Sequence, residues 1–270
     1  MRIAIRHSTS YHFSESPAHG LQRLRLTPKH TSGQSIVDWK MKFHGARVEV
    51  EYDDHNCNHV TLVSVQPEVE DLLIECSGVV ETADQSGVIG RHAGSLPLWH
   101  FLAATPLTTP GPGVRRIIGQ LGSAGNTLDA LHRVSDIVRE TIAYIPGATG
   151  VTTTAEEALA VEAGVCQDHA HAFIAAARTM GVPARYVSGY LMMDDRVEQE
   201  AGHGWAEAHV DGLGWVGFDI SNGISPDSRY VRVATGRDYR DAAPVTGISY
   251  GGRERELRVS LAIEEQVCQQ

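Results

Sequence analysis

Residues 162–173 read EAGVCQDHAHAF, and this stretch decides how the rest of the chain is interpreted. Apolar residues recur at helical spacing after it, as far as Ala177. Gly181 then supplies a helix-ending residue, and Pro183 prevents the helix from continuing. We therefore predict a buried helix with Cys166 at, or one residue before, its first turn.

The start of this helix would give Cys166 a distinctive chemical environment. Unpaired backbone N–H groups and the positive end of the helix dipole favour the thiolate, which is the reactive form of cysteine. The same N–H groups are suited to receive the oxyanion of a tetrahedral intermediate. A free thiol with a pKa of about 8.5 is mostly protonated at neutral pH, so a nearby histidine is needed to take the proton. A single cysteine is more often a small buried residue, so partners elsewhere must decide.

Two candidate partners stand at the open end of a predicted hairpin. Two strand-like runs are joined by Asp211 and Gly212, a strong hairpin signal, and they end at His203 and Asp219. Because these two residues are equidistant from Asp211, we expect them opposite one another. A strict two-residue turn would instead leave His203 opposite Ile220. Bringing both side chains onto one face requires a shift of one residue, such as a three-residue loop or a glycine bulge.

The chemistry of a thiol nucleophile favours this arrangement. A histidine base needs one nitrogen near the sulfur, and the other held by an acceptor that fixes its tautomer. A carboxylate on the adjacent strand can hold the ring and stabilise the imidazolium. We therefore predict Cys166 as nucleophile, His203 as its base and Asp219 as the orienting carboxylate. Taken singly, either of the last two would more often be structural.

The rest of the chain predicts an α+β fold. Up to about residue 85, apolar and polar residues alternate in strand fashion, which indicates an antiparallel β domain. A helical period follows over 128–142, with Asn126 or Thr127 as its N-cap. Residues 105–113 hold three prolines and two glycines, which is typical of a surface connection. After residue 184 strand patterns return and run to the end of the chain, so helices follow a β module and precede a second sheet.

Together these segments resemble the bacterial transglutaminase-like cysteine peptidase family, part of the transglutaminase-like superfamily with a papain-like core. The three catalytic blocks of the family are similar to residues 164–168, 203–207 and 212–219. Further similar segments are 180–190, 236–241, 24–28 and 54–58. Two positions depart from the family pattern: Gly204 replaces the usual alanine after the histidine, and Cys57 stands where glycine is more common.

The resemblance implies a β module over residues 1–90 and a papain-like, transglutaminase-like catalytic domain over residues 91–270, in which the nucleophile helix packs on an antiparallel sheet. It implies a hydrolase that cleaves peptide, isopeptide or amide bonds through a thioacyl intermediate, with no cofactor or metal. Two alternatives remain open. The same intermediate permits transfer to an amine, and an idle binding module could keep the fold.

Composition narrows the partners. The formal charge of −10 argues against non-specific binding to nucleic acid or an anionic membrane, so a peptide or protein substrate is expected. The chain shows no signal-peptide core and no stretch that could span a bilayer, which predicts a cytoplasmic location. The four cysteines lack framework spacing, so we expect no structural disulfides.

A metal site is the remaining alternative that the sequence suggests. His55, Cys57 and His59 would share one face of a regular strand, but they adjoin a polar turn and no fourth ligand follows. His169 and His171 are two residues apart on a helix and so do not face one site. We therefore expect no metal centre. We expect His169 and His171 to be packing or surface residues, and of the two His169 is the candidate for the border of the cleft. Oligomeric state is not encoded in any feature of the sequence.

Overall fold

The computed structural model describes residues 1–122, 125–252 and 254–266, so Cys268 lies outside the described residues. Two short 3-10 helices cover Leu98–Leu102 and Pro106–Thr108. The α-helices are α1 (Pro112–Gly119), α2 (Thr127–Thr141), α3 (Ala155–Val161), α4 (Cys166–Thr179) and α5 (Tyr239–Ala242). The strands are β1 (Arg2–Phe13), β2 (His19–Leu24), β3 (Gln34–His44), β4 (Ala46–Asp53), β5 (His59–Val65), β6 (Asp71–Thr82), β7 (Val88–Gly90), β8 (Ala143–Tyr144), β9 (Ala163–Gly164), β10 (Ala184–Leu191), β11 (Glu198–Gln199), β12 (His203–Val210), β13 (Gly214–Phe218), β14 (Tyr230–Gly236), β15 (Val245–Tyr250) and β16 (Glu254–Glu265).

Three larger sheets and one small parallel pair organise these strands. The central sheet has the order β14-β10-β12-β13-β7, and its strands pair in antiparallel fashion. Two further antiparallel sheets have the orders β11-β16-β1-β6-β3 and β15-β2-β5-β4. Only β8 and β9, among the strands of the described ranges, pair in parallel. The predicted α+β class, with mostly antiparallel sheets, is confirmed.

Strands from the two ends of the chain share sheets. Near the carboxyl end, β15 pairs with β2 and β16 pairs with β1. From the amino-terminal part of the chain, β7 joins the edge of the central sheet beside β13. The division into residues 1–90 and 91–270 stays a prediction. Strands from both sides of that boundary contribute to the same sheets.

Helix α4 begins at Cys166 and is buried along most of its length. It packs on β12 and β10, where Ala206 and Ala208 leave room for a close approach. Its end is a Schellman motif: Gly181 has φ +81°, and the N–H of Val182 donates to the carbonyl of Ala177 at 2.9 Å. The predicted start and end of this helix are therefore confirmed.

Residues 105–113 do not form the surface connection that their prolines and glycines predict. The segment contains a 3-10 turn and the start of α1, and the side chain of Thr108 is fully buried. The buried guanidinium of Arg178, on α4, donates to the Thr108 hydroxyl at 2.8 Å and to the Phe101 carbonyl at 2.9 Å. This partner lies about seventy residues away in sequence, so local composition could not reveal it.

Helix α2 follows its sequence pattern closely. Asn126 is the N-cap, and its side chain accepts a hydrogen bond from the N–H of Asp129 at 3.0 Å. The predicted apolar face is buried through Leu131, Val134 and Val138. Within the described ranges, none of the helices has the length and apolar character required to cross a bilayer.

Candidate active site

Cys166 borders a cleft of about 320 Å³, which we call the thiol cleft. One wall comes from the start of α4 and from the central sheet, including His203. The opposite wall comes from β1 and β16, through residues such as Tyr11 and Leu257. The thiol is half-buried, so it is neither sealed in the interior nor fully exposed. The thiol cleft thus lies where strands from the two ends of the chain meet the central sheet.

The hairpin that carries His203 has a three-residue loop. Val210 pairs with Gly214, and the ladder continues as far as the pair Ala206 and Phe218. Continued to the strand end, this register makes His203 and Asp219 diagonal neighbours on one face. The prediction that they stand directly opposite is therefore wrong, while the loop supplies the shift that one shared face requires.

The His203 imidazole connects the other two predicted residues. Its Nε2 lies 2.6 Å from Oδ2 of Asp219, and the ring is close enough to the side chain of Cys166 for that side chain to raise the pKa of the histidine. Burial lowers the pKa of His203, but the hydrogen bonds and charges of Asp219 and Cys166 outweigh it and raise the pKa to about 10. The environment therefore favours an imidazolium held between a carboxylate and a sulfur atom.

Asp219 is held by two residues that sequence analysis missed. Its Oδ2 accepts hydrogen bonds from the Tyr230 hydroxyl at 2.6 Å and from the Asn222 side chain at 2.7 Å. Burial raises the pKa of Asp219, but the partners His203, Tyr230 and Asn222 lower it below its usual value. Asn222 lies three residues after Asp219, beside Gly223, which is a readable turn signal. Tyr230 gives no such local signal.

Aromatic rings lie beside the imidazole. The ring of Trp205 stacks on His203 with centroids 6.1 Å apart, and Tyr230 lies 6.0 Å away. Trp205 is 1% exposed, so it excludes water from this side of the ring. Trp205 is therefore a core residue that also contacts the candidate site.

Glu207 shares the strand of His203 but not its site. Its carboxylate is fully buried and pairs with Arg185 at 2.6 Å and with Arg232 at 2.5 Å. The sequence alone is compatible with either a role for Glu207 near the thiol or an ion pair. The observed partners show the ion pair.

The structure explains one departure from the family pattern, Gly204, and shows what the other, Cys57, changes. A Cβ added at Gly204 would lie 2.0 Å from the hydroxyl of Tyr186 on β10, so this hydroxyl occupies the space of the usual alanine. Cys57 has φ +56°, the left-handed region in which glycine is favoured. The glycine that is more common at that position would adopt this conformation without steric cost.

Three further residues in the first half of α4 have packing roles. Asp168 accepts from the Val165 N–H at 2.8 Å, as expected for a residue that satisfies N-terminal amides. His169 is buried between the Ser221 hydroxyl and the Ile142 carbonyl, each at 2.8 Å. His171 is fully buried, and burial lowers its pKa to about 3, so it is neutral.

His55, Cys57 and His59 do not share the face of one strand. Cys57 lies in the turn between β4 and β5, and His59 pairs with Asp53 at 3.2 Å. Across the described parts of the chain, no group of three or more His, Cys, Asp or Glu side chains could hold a metal ion.

Two family models match the chain. Residues 3–81 match the bacterial transglutaminase-like N-terminal region. Residues 115–220, which include Cys166, His203 and Asp219, match the transglutaminase-like superfamily.

Whole-chain comparisons agree with these matches. An uncharacterized protein of Mycobacterium leprae is 30% identical, with 97% of this chain and 98% of that protein covered. An uncharacterized protein of Mycobacterium tuberculosis is 26% identical, with 95% and 90% covered. A solved structure named "putative cysteine protease", from Cytophaga hutchinsonii, has the same fold, with a TM-score of 0.79, 21% identity, and 100% of this chain and 92% of that chain covered. The chain thus belongs to the transglutaminase-like superfamily, with the bacterial transglutaminase-like N-terminal region ahead of its core.

Proposed function

We propose that the chain is a thiol-dependent hydrolase of peptide, isopeptide or amide bonds. Cys166 is the nucleophile, His203 the acid and base, and Asp219 the residue that orients the imidazole. The observation that carries this proposal is that His203 pairs with Asp219 at 2.6 Å and interacts with Cys166, and that Cys166 and His203 line one cleft that reaches solvent. Membership of a superfamily of thiol enzymes supports it.

In the first half of the reaction, the Cys166 sulfur attacks the carbonyl carbon of the scissile bond. A C–S bond forms, and the carbonyl electron pair moves to oxygen, near the N–H groups at the start of α4 that lack intrahelical acceptors. The tetrahedral intermediate collapses, the C–N bond breaks, and the His203 imidazolium gives its proton to the departing amine. A thioacyl enzyme remains.

In the second half, water attacks the thioester carbonyl while neutral His203 takes its proton. The C–S bond breaks, the carboxylic acid leaves, and the thiolate and imidazolium are restored. Asp219 keeps the same hydrogen bond throughout, and this fixes which nitrogen of the ring faces the sulfur.

The walls of the thiol cleft favour an apolar side chain next to the scissile bond. Its apolar lining includes Tyr11, Leu26, Tyr186, Tyr239, Leu257 and Val259. Burial lowers the pKa of His7, which also lines the cleft, to about 4, so this histidine is neutral. We propose a peptide or protein substrate with a neutral, apolar residue there, not a nucleic acid or a membrane. The cytoplasmic location expected from the sequence stays a prediction.

The test compares wild type with Cys166→Ala on a library of peptide and isopeptide substrates. We expect cleavage by wild type, with a preference for apolar residues, and none above background for Cys166→Ala. A parallel measurement follows alkylation of each cysteine by iodoacetamide. Cys166 should react faster than the exposed Cys57, and His203→Ala should remove that advantage. Absence of cleavage together with equal alkylation rates would favour the idle binding module.

Transfer to an amine is the second candidate reaction, because the thioacyl intermediate is common to both. Supplying a labelled primary amine with a cleaved substrate separates the two outcomes. Amine incorporation that exceeds hydrolysis would identify a transferase, whereas predominant hydrolysis supports the proposal.

A further inference from the structure

A second cleft, of about 590 Å³, lies on the other side of the central sheet, and we call it the cationic cleft. Its lining includes Lys29, Arg91, Arg185 and Arg232, but only one carboxylate, Asp53. Asp53 is exposed and pairs with His59. Four cations around one cavity are unexpected in a chain whose formal charge is −10.

The face of the sheet explains where these cations stand. On β10, β12 and β14, small and apolar residues such as Ala184 and Ala206 pack toward α4. Their neighbours Arg185 and Glu207 therefore point to the opposite face, because successive strand residues alternate.

Arg185 is the central donor of the cationic cleft. Its side chain is about nine-tenths buried, its Nε donates to Glu207 at 2.6 Å, and its guanidinium lies 3.8 Å from the ring centre of Trp215. Its two terminal nitrogens donate to none of the described residues, and they are not sealed from the cavity. A buried guanidinium with free donors that faces a cavity is suited to bind an oxyanion.

The buried charges around Arg185 do not cancel. Glu207 supplies one negative charge against the two guanidinium groups of Arg185 and Arg232. Lys29 adds a third cation, whose Nζ uses two of its three hydrogens on the carbonyls of Asn56 and Cys57. Burial, followed by the charges of Arg232 and Arg185, lowers the pKa of Lys29 to about 7. Asp54, which also acts on Lys29, is balanced by Arg25 at 3.0 Å, so an excess of up to two positive charges remains, and this matches a dianion.

We propose that the cationic cleft binds a phosphate-bearing small molecule, with Arg185, Arg232 and Lys29 holding the phosphate. Arg185 offers both terminal nitrogens to phosphate oxygens, Arg232 offers Nη1 because its Nε and Nη2 are held by Glu207, and the lysine supplies a point charge. Arg91, which is exposed, borders the cleft and contributes a longer-range attraction. This proposal does not depend on the thiol chemistry.

The experiment titrates inorganic phosphate into wild type and Lys29→Met by calorimetry, with sodium chloride keeping the ionic strength constant. Loss of one charge-assisted hydrogen bond should weaken binding about tenfold or more. The matched control Lys40→Met removes an exposed lysine outside the cleft and should leave affinity unchanged. Arg91→Ala, which disturbs no buried contact, should weaken binding by a smaller factor. At about pH 8, where phosphate is a dianion, wild type should also take up protons that Lys29→Met does not.

Each other outcome overturns the proposal. The site does not exist if phosphate binds no more strongly than chloride. The same conclusion follows if wild type and Lys29→Met bind phosphate with equal affinity. If circular dichroism shows that Lys29→Met fails to fold, Arg91→Ala decides, and unchanged affinity in that variant counts against the proposal. Acetate that binds as tightly as phosphate would exclude a dianion site.

Discussion

Two buried carboxylates of the central sheet, Glu207 and Asp219, have opposite kinds of partner. Glu207 is fully buried between two arginines, Arg185 and Arg232. Asp219 is 1% exposed and faces one histidine, together with neutral donors such as Tyr230. Both are charged groups removed from water, so both need compensation.

The difference lies in whether the compensating charge can be removed. An arginine does not lose its proton in proteins, so the charge at Glu207 is balanced permanently. A histidine does lose its proton, so the charge at Asp219 is balanced only while His203 is protonated. The fold thus uses two buried carboxylates in different ways. One is paired with arginines that link strands of the sheet, and the other with a histidine that can exchange a proton.

The largest expected effect is loss of activity in Asp219→Ala. Without the carboxylate, the imidazole loses the acceptor that orients it and raises its pKa. We expect kcat/KM to fall about 10²–10⁴-fold, the usual contribution of a positioned acid or base. Steady-state kinetics on the substrate found with the library measure this. Asp195→Ala removes an exposed carboxylate and should behave as wild type. Equal activity in the two variants would contradict the role of Asp219.

Glu207→Ala should instead reduce stability. It leaves two guanidinium groups buried without a counter-charge, which costs about 3–5 kcal/mol of the free energy of unfolding. Urea denaturation measures the change. The control Glu140→Ala, on the exposed side of α2, should change stability by no more than about 0.5 kcal/mol. A loss at Glu207 as small as that of the control would show that the cationic cleft already holds a compensating anion or water.

The two sites should also respond differently to pH. His203 has a folded-state pKa of about 10, raised above its ordinary value of 6.5. The stability that its protonation provides is therefore complete below about pH 6.5, and it is lost as the pH rises towards 10. Urea denaturation of wild type and His203→Gln between pH 6 and 10 should show a difference that narrows with pH. His203→Gln lacks this titrating group, so the variant itself should show a flatter profile. A difference that widens with pH would contradict the assignment.

The smallest expected effect concerns Gly204, which lies on β12 beside His203. Alanine there would meet the Tyr186 hydroxyl, so Gly204→Ala should cost about 1–3 kcal/mol of stability. Removing that hydroxyl makes room, and the double variant Gly204→Ala with Tyr186→Phe should recover part of the loss. Additive losses, measured by thermal or urea unfolding, would mean that another contact excludes the side chain.

Local patterns predicted several elements accurately. The span of α4, its Schellman end at Gly181 and the N-cap at Asn126 all depend on residues close together in sequence. The hairpin of β12 and β13 is similarly local, which is why a loop shift that brings His203 and Asp219 onto one face could be anticipated. Their diagonal register could not, since it depends on the actual length of the loop, which pairs Val210 with Gly214.

By itself, the sequence determined the fold class, the family and the residues proposed for catalysis, because helix caps, turns and alternating strands are written in short segments. Only the tertiary structure decided the partners of the buried charges: Tyr230 on Asp219, Arg185 and Arg232 on Glu207, and Thr108 on Arg178. The reason is physical. A buried charge is compensated by whichever group the tertiary packing brings within hydrogen-bonding distance. The spacing of residues along the sequence does not reveal which group that is.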